Sequence, residues 1–204
     1  MATVTFESII PEILPLVPDC TDLIIIRALR RSCEEFLTKS LVWRVDLDEH
    51  TTEIGEPIVE LDIPKSDLRV TQIKSVTIAT KDITQISDDQ KAPNSTETFC
   101  SLINFGKALR LTPIPRLASP MLLKVVLSTT PNSSGVDRDV ETHIHEHLID
   151  GALARLYAMP GMPWADSSLA AYHGSIFQAA IIEMRGRAEN NNGRAVRTVS
   201  YGGL

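Results

Sequence analysis

Aromatic side chains are scarce in this chain, only 5% of its 204 residues, and basic residues are not interleaved with them along any strand-like run. The stacking platform of a sequence-reading nucleic-acid binder is therefore missing. Cysteine is scarcer still. Cys20, Cys33 and Cys100 are odd in number and lack CxxC spacing, which argues against a disulfide framework or a zinc knuckle and for buried, reduced thiols. Uncharged apolar runs are no longer than LIII at 23–26, far short of the roughly 20 residues of a membrane span. The first residues carry Glu7 and prolines at 11, 15 and 18 in place of a basic region and an apolar run, so the chain is expected to stay where it is made. No GxxxxGK[ST], GxGxxG or GxSxG occurs, no serine sits in a nucleophile context, and no repeat of solenoid period is present. Nothing positive points to an enzyme.

What is present is enough apolar content, 43%, to bury a core, interleaved with 23% charged residues. The net charge of −6 disfavours loose binding to phosphate backbones or anionic lipid. That charge is unevenly placed. From 185 to 204 four arginines stand against Glu189, a net of +3, which leaves −9 on the other 184 residues. An acidic body with a basic, Asn- and Gly-rich tail suggests a solvated arm, 189–204, that finds an acidic partner.

Along the chain, the prolines permit only short turns before residue 18. Asp19 is the expected N-cap of a helix over 19–39 whose inner face reads Ile25, Ala28, Leu29, Ser32, Cys33, Phe36 and Leu37. Its outer face sets Arg30 with Glu34 and Arg31 with Glu35 at i,i+4. From 41 to 130 the texture is β-rich, with alternation at 42–48, 59–63 and 121–127, further strands within 70–80, 97–104 and 109–112, and a polar loop at 87–98. Helical periodicity returns over 137–158 and, after the stop MPGMPW and the cap Asp166, over 166–187. The last helix is expected to turn Leu169, Tyr172, His173, Ile176, Phe177, Ala180 and Met184 inward, with Gly174 approaching Gly151 closely. The expected fold class is α+β: a bundle of about three long helices, with an inserted, mainly antiparallel sheet or small sandwich and an extended C-terminal arm. One domain would span 1–188.

Two clusters invite a chemical reading. HIHEH at 143–147 holds three imidazoles, but about 100° per residue turns His145 away from His143 and His147 and into the apolar arc, so only that exposed pair can chelate. A catalytic zinc would need a further ligand from elsewhere, so no metal and no cofactor is expected. Asp46 and Asp48, about 7 Å apart on one strand face, precede Glu49 and His50 and suit a hard cation or, more often, the wet side of a strand. Trp43 and Trp164 stand where layers meet and are expected to be core anchors with Gly151 and Phe177.

The order of the pieces, a proline-led start, DLIIIRALRRSCEEFLTKSLVW, a β-rich middle and LIDGALARLYAMPGMPWADSSLAAYHGSIFQAAI, resembles the head-to-tail adaptor proteins of short-tailed bacteriophages. The resemblance covers most of 9–188. Its most specific pieces are Gly151-Ala152-Leu153 leading to Leu156, Met159-Pro160, Pro163-Trp164, and Tyr172 with Phe177. The resemblance implies a virion protein, assembled in the host cytoplasm, that forms a closed ring of about twelve copies beneath the portal. Such a ring extends the DNA channel, with no sequence-specific contact to DNA, and offers a docking surface to tail nozzle or tail fibre proteins. The matching arm would grip the portal, with Arg194, Arg197 and Tyr201 as its anchors. Two other readings stand beside it: a small metal-dependent enzyme using His143 and His147, and a head-completion factor of the siphophage type.

Overall fold

A computed structural model of the protein describes residues 3–86 and 97–190, apart from the side chains of Asp48 and Glu49. The chain opens with β1 (Thr3–Thr5), a 3-10 turn at Phe6–Ile9, α1 (Ile10–Ile13) and a second 3-10 turn at Leu14–Leu16. Pro11 and Pro15 each sit in a first turn, where the missing N–H costs nothing, and each keeps the preceding turn from growing. The segment is tied down by burial, since Phe6, Ile9, Ile13 and Val17 are fully enclosed.

Next comes α2 (Asp22–Ser40). All seven residues expected on its inner face are buried. Its start differs from expectation. Asp19 has φ +66°, and Thr21 occupies the cap position without a side-chain bond, so the first turn closes on its carbonyl through Ile24 and Ile25 N–H. The strands follow: β2 (Arg44–Thr51), β3 (Ile58–Glu60), β4 (Leu68–Ile78), β5 (Lys81–Asp82), β6 (Thr84–Gln85), β7 (Phe99–Ile103), β8 (Ala108–Thr112), β9 (Pro120–Thr129) and β10 (Gly135–Asp137). The chain closes with α3 (Arg138–Tyr157) and α4 (Ser167–Glu189).

The expected bundle of three long helices around one inserted sheet is corrected by this arrangement. Among the described residues the fold is α+β with four helices and three sheets. One sheet runs β2-β9-β4-β5, a second β3-β8-β7-β6, and a two-stranded ribbon joins β1 to β10. The reason is visible in the pairings. β3 finds β8 rather than its sequence neighbour β2, which splits the middle region in two, and the proline-led start supplies a strand of its own to β10. The pairs are antiparallel except β6 with β7. Met121, Leu123, Val125 and Leu127 of β9 alternate into the same apolar core as Cys100, Leu109 and Leu111 of the second sheet. On its other face β9 meets α2, where Thr38 Oγ1 donates to Ser128 Oγ at 3.1 Å.

α3 and α4 pack antiparallel behind the loop at 158–166. Asp137 caps α3 by accepting from Asp139 N–H at 3.1 Å, and Asp166 caps α4 by accepting from Ser168 and Leu169 N–H at 2.8 and 3.0 Å. No helix among the described residues is long and apolar enough to cross a membrane.

Candidate functional site

The three long helices meet at Phe36, Gly151 and Phe177. A Cβ on Gly151 would lie 2.6 Å from the Phe177 ring and 2.9 Å from Ser32 Cβ, so only glycine lets α3 come this close to both neighbours. Gly174, the other expected close approach, has only Ala154 Cβ at 3.9 Å and imposes nothing. Phe36 and Phe177 are buried, their rings 5.8 Å apart and tilted. Trp43 is buried where α2 hands over to β2, and its carbonyl accepts from Leu127 N–H at 2.9 Å. Trp164 lies at the bend between α3 and α4, half-buried, its Nε1–H enclosed without a partner among the described residues.

A charged net rims this junction. Glu35 takes hydrogen bonds from Lys39 at 2.6 Å, from Gln178 at 3.3 Å and from Arg155, whose Nε also donates to Ser32 Oγ at 3.1 Å. Burial alone would raise the Glu35 pKa, but the bonds from Lys39 and Gln178 and the Arg155 charge outweigh it and hold the carboxyl below its usual range. Glu34 pairs with Arg69 of β4 at 2.8 Å. The sequence spacing offered Arg30 and Arg31 for these glutamates, and tertiary partners took them instead. Because i,i+4 pairs are worth only tenths of a kcal/mol, a partner fixed by packing wins readily.

The HIHEH run does not gather. His143 is exposed, and His147, expected to be exposed, lies half-buried with its ring stacked 5.5 Å from Phe36. His145, expected in the apolar arc, bridges two carboxylates: Glu141 on its own helix through Nδ1 and Glu12 of α1 through Nε2, at 3.1 Å. Burial would lower its pKa, but the hydrogen bonds it donates to the two glutamates, with their charges, raise it above the ordinary histidine value. No group of three or more His, Cys, Asp or Glu side chains suited to a metal ion occurs among the described residues. In the second cluster Asp46 faces Lys124 at 3.7 Å, and His50 Nε2 accepts from Asp62 N–H at 2.9 Å. A bulge between Leu47 and His50 breaks the strand alternation there. The Asp48 and Glu49 side chains lie outside the described residues. His173, on the α3–α4 seam, pairs with Asp150 at 2.8 Å and stacks on Tyr157.

The outward surface of α4 departs most from expectation. Phe177, Ala180 and Ile181 are buried, whereas Leu169 and Tyr172, expected inside, stand exposed together with Ile182. Tyr172 is 59% and Ile182 71% exposed. At about 100° per residue, 172, 179 and 182 fall within about 80° of one another on the outward side of the helix, whereas 169 lies about 140° round from 182. At its C-terminal end Arg185 comes near Lys74 of β4 and Arg44 of β2. Burial first, then the charges of Arg44 and Arg185, depress the Lys74 pKa, with Glu189 opposing them. Arg185 and Arg187 pair with Glu189 and Glu183, so half of the basic tail read from the sequence belongs to α4. Arg194, Arg197 and Tyr201 lie outside the described residues. Compared with known proteins, the chain matches no family model and no curated protein sequence.

Proposed function

We propose that this protein is a head-to-tail adaptor of a tailed bacteriophage, a structural component that assembles as a ring of about twelve copies below the portal. In this reading it lengthens the DNA channel and gives the tail nozzle or fibres a place to dock. The observation that carries it is the outward face of α4. Tyr172 and Ile182 stand exposed on that face, Tyr172 touching only the edge of the neighbouring His173 ring among the described residues, and the helix ends near Arg44, Lys74 and Arg185, with Glu189 the acid among them. Large apolar side chains aligned on one helix face favour burial against another protein surface. Arg194 and Arg197 follow in sequence and add positive charge of the sign that an acidic portal surface would attract. An acidic body suits a conduit, because a basic lining would bind each passing phosphate and retard DNA.

Truncation after Asn190 tests the grip. The shortened chain is expected to keep the melting temperature of the full chain and to lose co-sedimentation with portal rings, and unchanged portal binding contradicts the role of the arm.

A further inference from the structure

We infer that the β-rich half carries a self-complementary pair of surfaces, a rigid aromatic knob at Phe105 and an apolar groove at Pro113–Leu117, through which one copy of this chain docks onto the next. The inference rests on the adaptor reading and specifies which surfaces meet. Phe105 sits in the turn between β7 and β8 and is 89% exposed. Three successive residues there, Asn104, Phe105 and Gly106, have φ of 52°, 53° and 85°. A left-handed phenylalanine costs about 1–2 kcal/mol, so the turn spends stability to hold an aromatic ring in water. The turn is also fixed from below: a Cβ on Gly106 would lie 2.0 Å from the Val70 carbonyl oxygen of β4. Strain of this kind, locked by its surroundings, marks binding positions more often than idle loops. A pre-set aromatic loses little freedom on docking.

The groove lies at the other end of the same strand. After β8 the chain passes through Thr112 and Pro113 into a loop whose Ile114 and Leu117 stand exposed beside Ile54, with Leu117 at 73%. They border a groove of 530 Å³ whose floor includes Ile78 and Leu111. Space of that size takes a phenyl ring easily. β8 spans five residues, about 17 Å of strand, so a copy's own ring cannot reach its own groove. The flanking charges differ in sign. Lys107 and Lys65 border the knob end, with Asp62 the acid beside them, whereas exposed Glu53 and Glu56 flank Ile54 at the groove end, with Arg116 the opposing base. Knob and groove at opposite ends make a heterologous contact, which repeats from copy to copy and closes into a ring when the rotation permits. The chemistry of the occupant is thus an aromatic ring with a basic rim, which this chain itself supplies.

The test leaves Phe105 and Leu117 in place and sets cysteines beside them in the full-length chain, at the exposed positions Lys107→Cys with Ala118→Cys. Cys20, Cys33 and Cys100 are buried, and a disulfide needs Cα atoms within about 7 Å, so only contacts between copies can close. Under oxidation at high concentration the double variant should give a ladder of covalent multimers on a non-reducing gel, and each single variant should not. Phe105→Asp, with an unchanged melting temperature, should abolish self-association. Absence of the ladder while the wild-type chain forms rings in negative stain would overturn the knob-and-groove contact and leave the adaptor reading standing. A ladder from copies that stack into open filaments and ignore portal rings would support the contact and defeat the adaptor reading. A wild-type chain that stays monomeric at every concentration, with and without portal, overturns both.

Discussion

The helix junction and the ends of the β-rich half treat apolar surface in opposite ways. At the junction Phe36, Phe177 and Gly151 interlock, and Glu35 with Arg155, Lys39 and Gln178 closes the rim, so every large ring there is enclosed. At the two ends of β8, Phe105 and Leu117 are left in water by turns whose backbone is held, the first by Gly106 against Val70 and the second by hydrogen bonds from Gly55 N–H to the Pro115 carbonyl and from Thr52 Oγ1 to the Leu117 carbonyl. A residue that holds a fold together and a residue that meets a partner have the same side-chain chemistry, and enclosure separates them. Substitutions at the first place should therefore act on stability, and substitutions at the second on association.

The largest effect on stability is expected from Phe177→Ala, which empties the junction and should cost about 3–5 kcal/mol in chemical denaturation. Gly151→Ala should cost about 1–3 kcal/mol, because a methyl group meets the Phe177 ring and Ser32 at once. Both variants should lose self-association only in proportion to the unfolded fraction. If Gly151→Ala melts with the wild type, the close approach of α3 to α4 is wrong. Arg155→Ala should cost about 1 kcal/mol, a partly exposed pair being screened by solvent, and its effect should depend on pH. The lowered Glu35 pKa means that its stabilisation is present above the ordinary carboxyl range near 4.3 and is lost as pH falls through the folded value. A denaturation series from pH 7 to pH 3 checks this, with the variant and wild type converging at the acid end.

His145 works in the reverse sense. Its folded pKa is raised, so the clasp to Glu12 and Glu141 contributes fully below about 6.5 and fades as pH rises through the folded value. Glu12→Gln should thus destabilise by under about 1 kcal/mol at pH 5.5 and by less at pH 8.5. The smallest effect on stability is assigned to Phe105→Ala, within about 0.5 kcal/mol, with self-association lost. A Phe105→Ala chain that is destabilised as much as Phe177→Ala would erase the distinction between the two regions.

Much of the frame was legible before any coordinates. The inner face of α2 follows from its three- and four-residue spacing, and Asp166 marks the start of α4 because a carboxylate beside free N–H groups has a clear signature, though the same signature misleads at Asp19, where Thr21 takes the cap position. The alternation at 121–127 marks β9 as a strand buried on one face. What failed depends on contacts distant in sequence. The division into three sheets is decided by β3 choosing β8 and β1 choosing β10, and alternation says which face is buried without naming a partner strand. The buried face of α4 differs from the expected one because its apolar residues surround the helix, and only packing against α2 and α3 selects Phe177, Ala180 and Ile181. His145 gave no sign of Glu12, which arrives from 133 residues away. Phe105 carries a faint signal in the sequence: Asn-Phe-Gly between two strand-like runs is a turn, and an aromatic at a turn's centre has no core to enter.

The proposed adaptor role requires copies of this chain to form a ring that engages a portal. Negative-stain imaging of the full-length chain, alone and mixed with portal rings, tests it most directly. Closed rings of about twelve copies are expected, either free or assembled on the portal face, with density continuing the portal channel. A monomer that ignores the portal and binds stoichiometric zinc through His143 and His147 would contradict it.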